Sequence, residues 1–329
     1  MTISMDAISN PILNDMPEFA IRDPAVAFRG GRFYVYYTYV DFRREGNIYI
    51  STHMRTTEDF VTWSRTHEVF GGPNHYSSPG NVFRHPVSGK WAICIQSYPF
   101  GPGKGMGDER CRLFVAESDD LVTWSAPRVL VEAGAQHTYN DSVRQIDPYI
   151  VLDGDRAWCY YKTEGELGVL VSDDGLETWT EALPDRPAIG RAHMPTGETV
   201  ENPYVVRHDG KWWLFVSPCS APRKIAYAVS DSLTDWPKVE YLDFPDLPWA
   251  PHGPTAPAIV DLHEIRGAGN PASLELRRAG LADSTGLPRW LMLFHGDCEP
   301  RNTGHEAALG LAVSDDLVNW TEPGGAKTA

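Results

Sequence analysis

The chain has 329 residues, 42% of them hydrophobic, with 29 Lys and Arg against 44 Asp and Glu and a formal net charge of −15. That balance argues against nucleic acid or an anionic membrane as a partner, because both select a basic face, and it is compatible with a neutral substrate such as a sugar. No stretch approaches the roughly 18 apolar residues of a membrane span.

Residues 1–18 read as an N-terminal extension with neither the basic start nor the apolar run of a signal peptide. From there to residue 325 one phrase recurs five times, and each copy carries short alternating strands. The first copy opens at Arg22-Asp23-Pro24, turns at Gly30-Gly31, and runs through Arg32-Phe33-Tyr34-Val35-Tyr36-Tyr37-Thr38 to close at Asp59 and Trp63. Phe33, Val35 and Tyr37 fall on one side of that strand and Tyr34, Tyr36 and Thr38 on the other. The second copy opens at Ser77-Ser78-Pro79, continues as Lys90-Trp91 to Gln96, and closes with Ser118-Asp119-Asp120-Leu121 and Trp124. The third opens at Ile146-Asp147-Pro148, continues from Arg156 to Lys162, and closes with Ser172-Asp173-Asp174 and Trp179. The fourth opens at Glu201-Asn202-Pro203, continues from Lys211 to Ser217, and closes with Ser230, Leu233 and Trp236. The fifth opens at Thr255-Ala256-Pro257, continues from Arg289 to His295, and closes with Ser314-Asp315-Asp316-Leu317 and Trp320.

The closing tryptophans are spaced by 61, 55, 57 and 84 residues, and the excess in the last interval lies in residues 262–287. Periods of that size with about four short strands each are the pattern of propeller blades, whereas leucine-rich or ankyrin repeats are shorter and carry helices. The expectation is an all-β chain: a single five-bladed β-propeller over residues 19–325, with four-stranded antiparallel blades. The closing phrase reads as a turn followed by an aromatic that packs between blades, so no chemistry is placed on it. Cys94, Cys111, Cys159, Cys219 and Cys298 form no CxxC pair, so buried free thiols in a reducing, cytoplasmic compartment are expected.

The openings break the repeat's own rule. Asp23, Asp147 and Glu201 stand one or two positions before the proline, where the second and fifth copies offer Ser78 and Thr255. In a propeller the first strand of each blade lines the central channel, so these three carboxylates converge on one mouth. Crowded, desolvated carboxylates repel and raise at least one pKa, and two with separated pKa values are what glycosidic cleavage uses. Asp before Pro is also an ordinary strand-entry pair; its recurrence at repeat positions favours function. The second strands end at the same mouth on Thr38, Gln96, Lys162, Ser217 and His295, a second ring of candidate pocket residues.

These residues resemble glycoside hydrolase family 43 and its five-bladed propeller relatives, over almost the whole chain. The resemblance implies that Asp23 is the general base and that Glu201, in an EGP-like or EAP-like motif, is the general acid. It implies that Asp147 tunes and orients that acid. It also implies that His295, in Leu293-Phe294-His295-Gly296, holds a calcium or a water on the axis, with no cofactor required. Arg22, Ser78, Gln96, Lys162, Ser217 and Arg301 are the expected substrate contacts.

Two departures bear on specificity. Asn202 replaces the usual small residue after the acid, and Ser78-Pro79 stands where many members carry an aromatic before Ala-Pro. The expected activity is inverting, exo-acting hydrolysis of a pentoside or furanoside (arabinofuranosyl, xylosyl or galactofuranosyl) in small oligosaccharides. A propeller phosphorylase, a fructosidase-like enzyme and a non-catalytic carbohydrate-binding propeller are the alternatives. The fructosidase nucleophile and EC motifs are absent. The cations of a phosphate site, Arg22, Lys162, Arg223 and Arg301, are scattered in sequence.

Overall fold

The computed structural model describes residues 3–42, 48–101, 107–220, 222–262, 287–299 and 306–324. Alternation of small and bulky apolar residues makes strands whose two faces are both buried. Blade one is the antiparallel sheet β1 (Phe19–Arg29), β2 (Arg32–Asp41), β3 (Tyr49–Thr57) and β4 (His67–Phe70). Blade two is β5 (Val82–Arg84), β6 (Trp91–Gln96), β7 (Leu113–Ser118) and β8 (Arg128–Val129). Blade three is β9 (Ile146–Asp153), β10 (Arg156–Lys162), β11 (Leu167–Ser172) and β12 (Thr180–Glu181). Blade four is β13 (Val200–His208), β14 (Lys211–Pro218), β15 (Ala226–Ser230) and β16 (Glu240–Tyr241).

Among the described residues blade five has three strands, β17 (Pro254–Asp261), β18 (Trp290–Asp297) and β19 (Ala307–Ser314). Its fourth place is taken by the segment at residues 10–13. Leu13 bridges antiparallel to Leu309, and the Ile12 N–H donates to Leu309 O at 2.8 Å. The Asn10 side-chain amide acts as a further rung: Nδ2 donates to Leu311 O at 2.9 Å and Oδ1 accepts the Leu311 N–H at 2.8 Å. Part of the segment read as an extension thus completes the last blade, and the chain's two ends close the ring and cover the exposed edge of β19. The architecture is a five-bladed β-propeller.

The core is divided into layers between blades rather than gathered at one centre. Phe33, Val35 and Tyr37 pack with Leu291, Leu293 and Leu309 of blade five. The opposite face of the same strand sends Tyr36 against Ile93, Ile95 and Leu121 of blade two. Corresponding layers join blades two and three through Cys94, Cys159 and Tyr161, blades three and four through Tyr160 and Trp212, and blades four and five through Phe215 and Phe294. Each strand's period-two pattern therefore serves two neighbours at once.

The closing phrase is a packing device, as read. Ser118 Oγ accepts the N–H groups of Asp120 and Leu121, and Asp120 Oδ1 accepts those of Val122 and Thr123. This turn holds Leu121 at φ 68° with its side chain buried and its carbonyl accepting the Tyr36 hydroxyl of the blade before. All five cysteines are free; Cys94, Cys111 and Cys159 are buried.

Candidate active site

The strand openings share one backbone device. The residue before each opening proline lies in the left-handed region: Asp23 at φ 47°, Ser78 at 41°, Asp147 at 52°, Asn202 at 51° and Ala256 at 50°. In L-residues other than Gly this conformation costs about 1–2 kcal/mol, least for Asn and Asp, and it persists only where surrounding contacts impose it. Here the bonds come from the ends of the second strands. Thr38 Oγ1 accepts the Ser78 N–H at 2.8 Å, and Gln96 Oε1 accepts the Asp147 N–H at 2.7 Å. Ser217 Oγ accepts the Ala256 N–H at 2.8 Å, and His295 Nδ1 accepts the Asp23 N–H at 3.1 Å. Each latch runs from one blade to the opening of the next, and His295 carries the cycle back to blade one.

Lys162, at the corresponding position of blade three, has no acceptor to offer. The Asn202 N–H instead approaches Asp147 Oδ2 at 3.4 Å, and Lys162 Nζ donates to Glu201 Oε2 at 2.5 Å. Gln96 and Ser217 were expected to touch substrate. Both are buried and engaged: Gln96 Nε2 also donates to Ser77 Oγ at 3.2 Å, and Ser217 is fully buried. Their chemistry is that of inter-blade latches.

The latches also set the register. Asp23 and Asp147 occupy the left-handed position, but the matching residue of blade four is Asn202, one residue beyond Glu201. Glu201 lies opposite Ser217, as Arg22 lies opposite Thr38 and Thr255 opposite His295. Asn202, following the acid, is compatible with the left-handed position: this site favours Gly, and Asn tolerates it better than most side chains. Gly80 marks how closely the blades approach here, since a Cβ on it would fall 1.5 Å from the Pro148 carbonyl oxygen.

A pocket at the mouth is lined by Asp23, Ser78, Asp147, Asn202, Tyr204 and Ala256, with the opening prolines between them. Asp23 Oδ2 accepts hydrogen bonds from Thr38 Oγ1 at 2.8 Å and Ser78 Oγ at 3.1 Å. Burial pushes its pKa above the ordinary carboxylate value, while those hydroxyls and the Arg22 charge pull the other way. Asp147 is held up to about 6 by burial, against the pull of Lys162 and with the repulsion of Glu201 and Asp23.

Glu201 is held from both sides. Lys162 contacts one carboxylate oxygen, and Arg223 Nη1 donates to Oε1. Arg223 Nε in turn lies 2.9 Å from Asp297 Oδ2, and Nη1 also donates to Thr255 Oγ1 at 3.2 Å. Contact with two cations favours the ionised carboxylate. Arg223, in the β14–β15 connection, and Asp297, at the end of β18, carry no motif; their roles come from contacts across 22 or more positions of sequence. The signal available in the sequence for Asp297 was its place two residues after His295 on one strand face. Arg22 sits at the mouth opposite Thr38. Arg301 lies outside the described residues.

His295 is pushed well below the ordinary histidine pKa by burial, helped by the Arg22 and Arg223 charges, so the ring is neutral. With Nδ1 accepting from Asp23, the proton resides on Nε2, which lies 3.6 Å from Asp297 Oδ1. A cation would need the Nδ1 lone pair already committed to the Asp23 N–H. Among the described residues no group of three or more His, Cys, Asp or Glu is placed to hold a metal ion. The residues present do not fit a calcium ligated directly by His295.

Comparison with known proteins decides the family. The profile of glycosyl hydrolases family 43 matches residues 8–243. The chain belongs to glycosyl hydrolase family 43. This family 43 chain is a glycosidase acting on O-glycosyl bonds. Among solved structures it is similar to a thermostable family-43 glycoside hydrolase, at 16% identity and TM-score 0.58, with 96% of each chain covered. An exo-1,5-α-L-arabinanase from a bovine ruminal metagenomic library shares 15% identity at TM-score 0.60, covering 91% of this chain and 94% of the other. The α-L-arabinofuranosidase of Podospora anserina, solved with cellotriose, shares 14% identity at TM-score 0.63, with 96% of each chain covered. At these identities the likeness is one of fold. No curated protein matches the chain in sequence.

Proposed function

We propose that this family 43 enzyme removes a terminal pentosyl or furanosyl unit from a small oligosaccharide with inversion of configuration. The observation that carries the reading is the convergence of Asp23, Asp147 and Glu201 at one mouth, where burial and mutual repulsion raise the pKa of the first two. Asp23 takes a proton from the attacking water; its raised pKa suits a base working near neutrality. Glu201 delivers a proton to the leaving oxygen. Asp147, Lys162 and Arg223 surround the path of that proton. The leaving sugar must draw Arg223 or Lys162 off Glu201 before that carboxyl can carry a proton. The free thiols support action in a reducing compartment on substrates small enough to be imported.

The decisive experiment uses 4-nitrophenyl α-L-arabinofuranoside, β-D-xyloside and β-D-galactofuranoside, then arabino-, xylo- and galacto-oligosaccharides with product analysis. Proton NMR of the first-formed anomer reads stereochemistry, and retention would overturn the inverting assignment. Inversion calls for acid and base carboxyls roughly 6.5–9.5 Å apart with a water between. Glu201→Gln should lose most activity on poor leaving groups and less on nitrophenyl glycosides; near-normal turnover of the former would sink the acid assignment.

One observation favours a second reading, phosphorolysis. Lys162 and Arg223 converge on a single carboxylate, a geometry that a phosphate could also occupy. Cleavage that requires added phosphate and releases a sugar phosphate would establish it in place of hydrolysis.

A further inference from the structure

Each left-handed position of the mouth presents a side chain from an equivalent backbone, and four of the five are accounted for. Asp23 and Asp147 carry the proposed chemistry, Ser78 donates its hydroxyl to Asp23 Oδ2 at 3.1 Å, and Ala256 shows that the ring needs no polar group to form. Asn202 remains. Asn202 lines the same pocket as Asp23 and Asp147.

The hydrogen-bond chain behind it assigns how its amide is turned. Arg223 Nη1 donates to Thr255 Oγ1 at 3.2 Å, so the Thr255 hydroxyl proton is free to point onward, and it does so toward Asn202 Oδ1 at 3.5 Å. With the amide oxygen turned to Thr255, Nδ2 and its two N–H groups are the end of the amide left over. Among the described residues no protein acceptor takes them.

Structural need does not explain the amide. Gly would adopt φ 51° without penalty, and a bare methyl suffices at Ala256. Asn is a residue that tolerates this backbone while adding a neutral donor. The pocket otherwise offers carboxylates as acceptors and a Ser hydroxyl already committed to one of them. A sugar hydroxyl placed there needs an N–H to accept from, and a site built around such a bond discriminates strongly against analogues lacking the oxygen.

We propose that Asn202 is a substrate-binding residue that sets specificity, donating from Nδ2 to an oxygen of the sugar held against Asp23 and Asp147. The inference rests on the hydrolase reading for the identity of that sugar. It does not depend on which carboxyl is the acid.

The test compares the full-length wild type with Asn202→Gly and Asn202→Asp. The substrate is whichever of the three nitrophenyl glycosides above is turned over best, together with its monodeoxy derivatives. Asn202→Gly should keep its thermal midpoint, raise KM at least tenfold and leave kcat within threefold. One monodeoxy sugar should lose as much on the wild type and lose nothing further on the variant, because the same bond is already gone. Asn202→Asp should weaken binding as much as Asn202→Gly, since it keeps the shape and removes the donor. Unchanged KM in Asn202→Gly, a loss confined to kcat, or equal further losses for every deoxy sugar would overturn the proposal. Calorimetric titration with L-arabinose, D-xylose and D-galactose separates the two readings. Binding that depends on Asn202 without turnover of any glycoside would sink the hydrolase reading and leave Asn202 standing. Equal binding to wild type and Asn202→Gly, or binding to neither, would overturn Asn202.

Discussion

The imidazole of His295 accepts the backbone N–H of Asp23 at 3.1 Å, across the seam where the last blade meets the first. One contact thereby spans the closing seam and fixes the backbone that carries the proposed base. It ties ring closure to catalysis.

Removing the acceptor should therefore be felt twice. His295→Ala leaves the Asp23 N–H unsatisfied in a buried place, at a cost of about 1–3 kcal/mol. The thermal midpoint should drop by several degrees and kcat should fall with it. His295→Gln, whose carbonyl can accept the same bond, should recover part of both. An unchanged midpoint in His295→Ala, measured by calorimetry, would show that the latch carries no stability.

Asp147 makes a prediction about pH. Its folded-state pKa is raised, to about 6, so the folded protein binds this proton more tightly than the unfolded chain does. Stability from this group is therefore present at low pH and lost as pH rises through about 4 to 6. Asp147→Asn should raise the midpoint at pH 7, by roughly 1–3 kcal/mol in stability, and change it less at pH 4, while activity falls. His295 has the opposite sign: its folded pKa is lowered, so its contribution is lost as pH falls below the ordinary histidine value. His295→Gln should accordingly flatten the acid side of the stability curve. Midpoints measured from pH 4 to 8 check both signs.

Arg223 holds Glu201 and Asp297 together. Arg223→Met removes one of the two cations on Glu201, so Glu201 should keep a proton to higher pH, and the alkaline limb of kcat/KM should move upward. Breaking a buried ion pair costs about 3–5 kcal/mol, so the variant should also melt earlier. Arg223→Lys has one charged nitrogen where Arg presents a fork, so it should restore stability only in part. A pH profile that keeps its alkaline limb in Arg223→Met would count against Glu201 as the proton donor.

Asn10 imitates a strand rung with a side chain, donating to Leu311 O and accepting from Leu311 N. Asn10→Ala should cost about 1–3 kcal/mol, since both backbone groups are left to find water. Deleting residues 3–13 should expose the β19 edge and promote association, read by light scattering. A monodisperse truncated protein with an unchanged midpoint would refute the closure role.

Much of the fold was legible because a repeat is self-calibrating. The hairpin turns, the alternation of Phe33, Val35 and Tyr37 with Tyr34 and Tyr36, and the recurring tryptophans each point to four-stranded blades. The openings were legible to within one residue. Asp23 and Asp147 are equivalent, each next to its proline, but Glu201 stands two before Pro203, and Asn202 takes the left-handed place. In the second ring, expected to face substrate, Gln96 and Ser217 hold the backbone of the next blade. A polar strand end reads the same whether it faces a ligand or a neighbouring backbone N–H. Arg223 and Asp297 were out of reach as a pair, since one comes from the β14–β15 connection and the other from the end of β18.

The sequence by itself determined the repeat, the blade number and the carboxylates at the openings, because these follow from local periodicity and from comparing copies. Tertiary structure alone decided which side chains face one another across the seams between blades. It joined residues 10–13 to β19, turned His295 onto Asp23, and set Lys162 and Arg223 on Glu201. The physical reason is distance along the chain: these partners lie from 22 to 301 positions apart, and no local pattern encodes a partner that folding brings near.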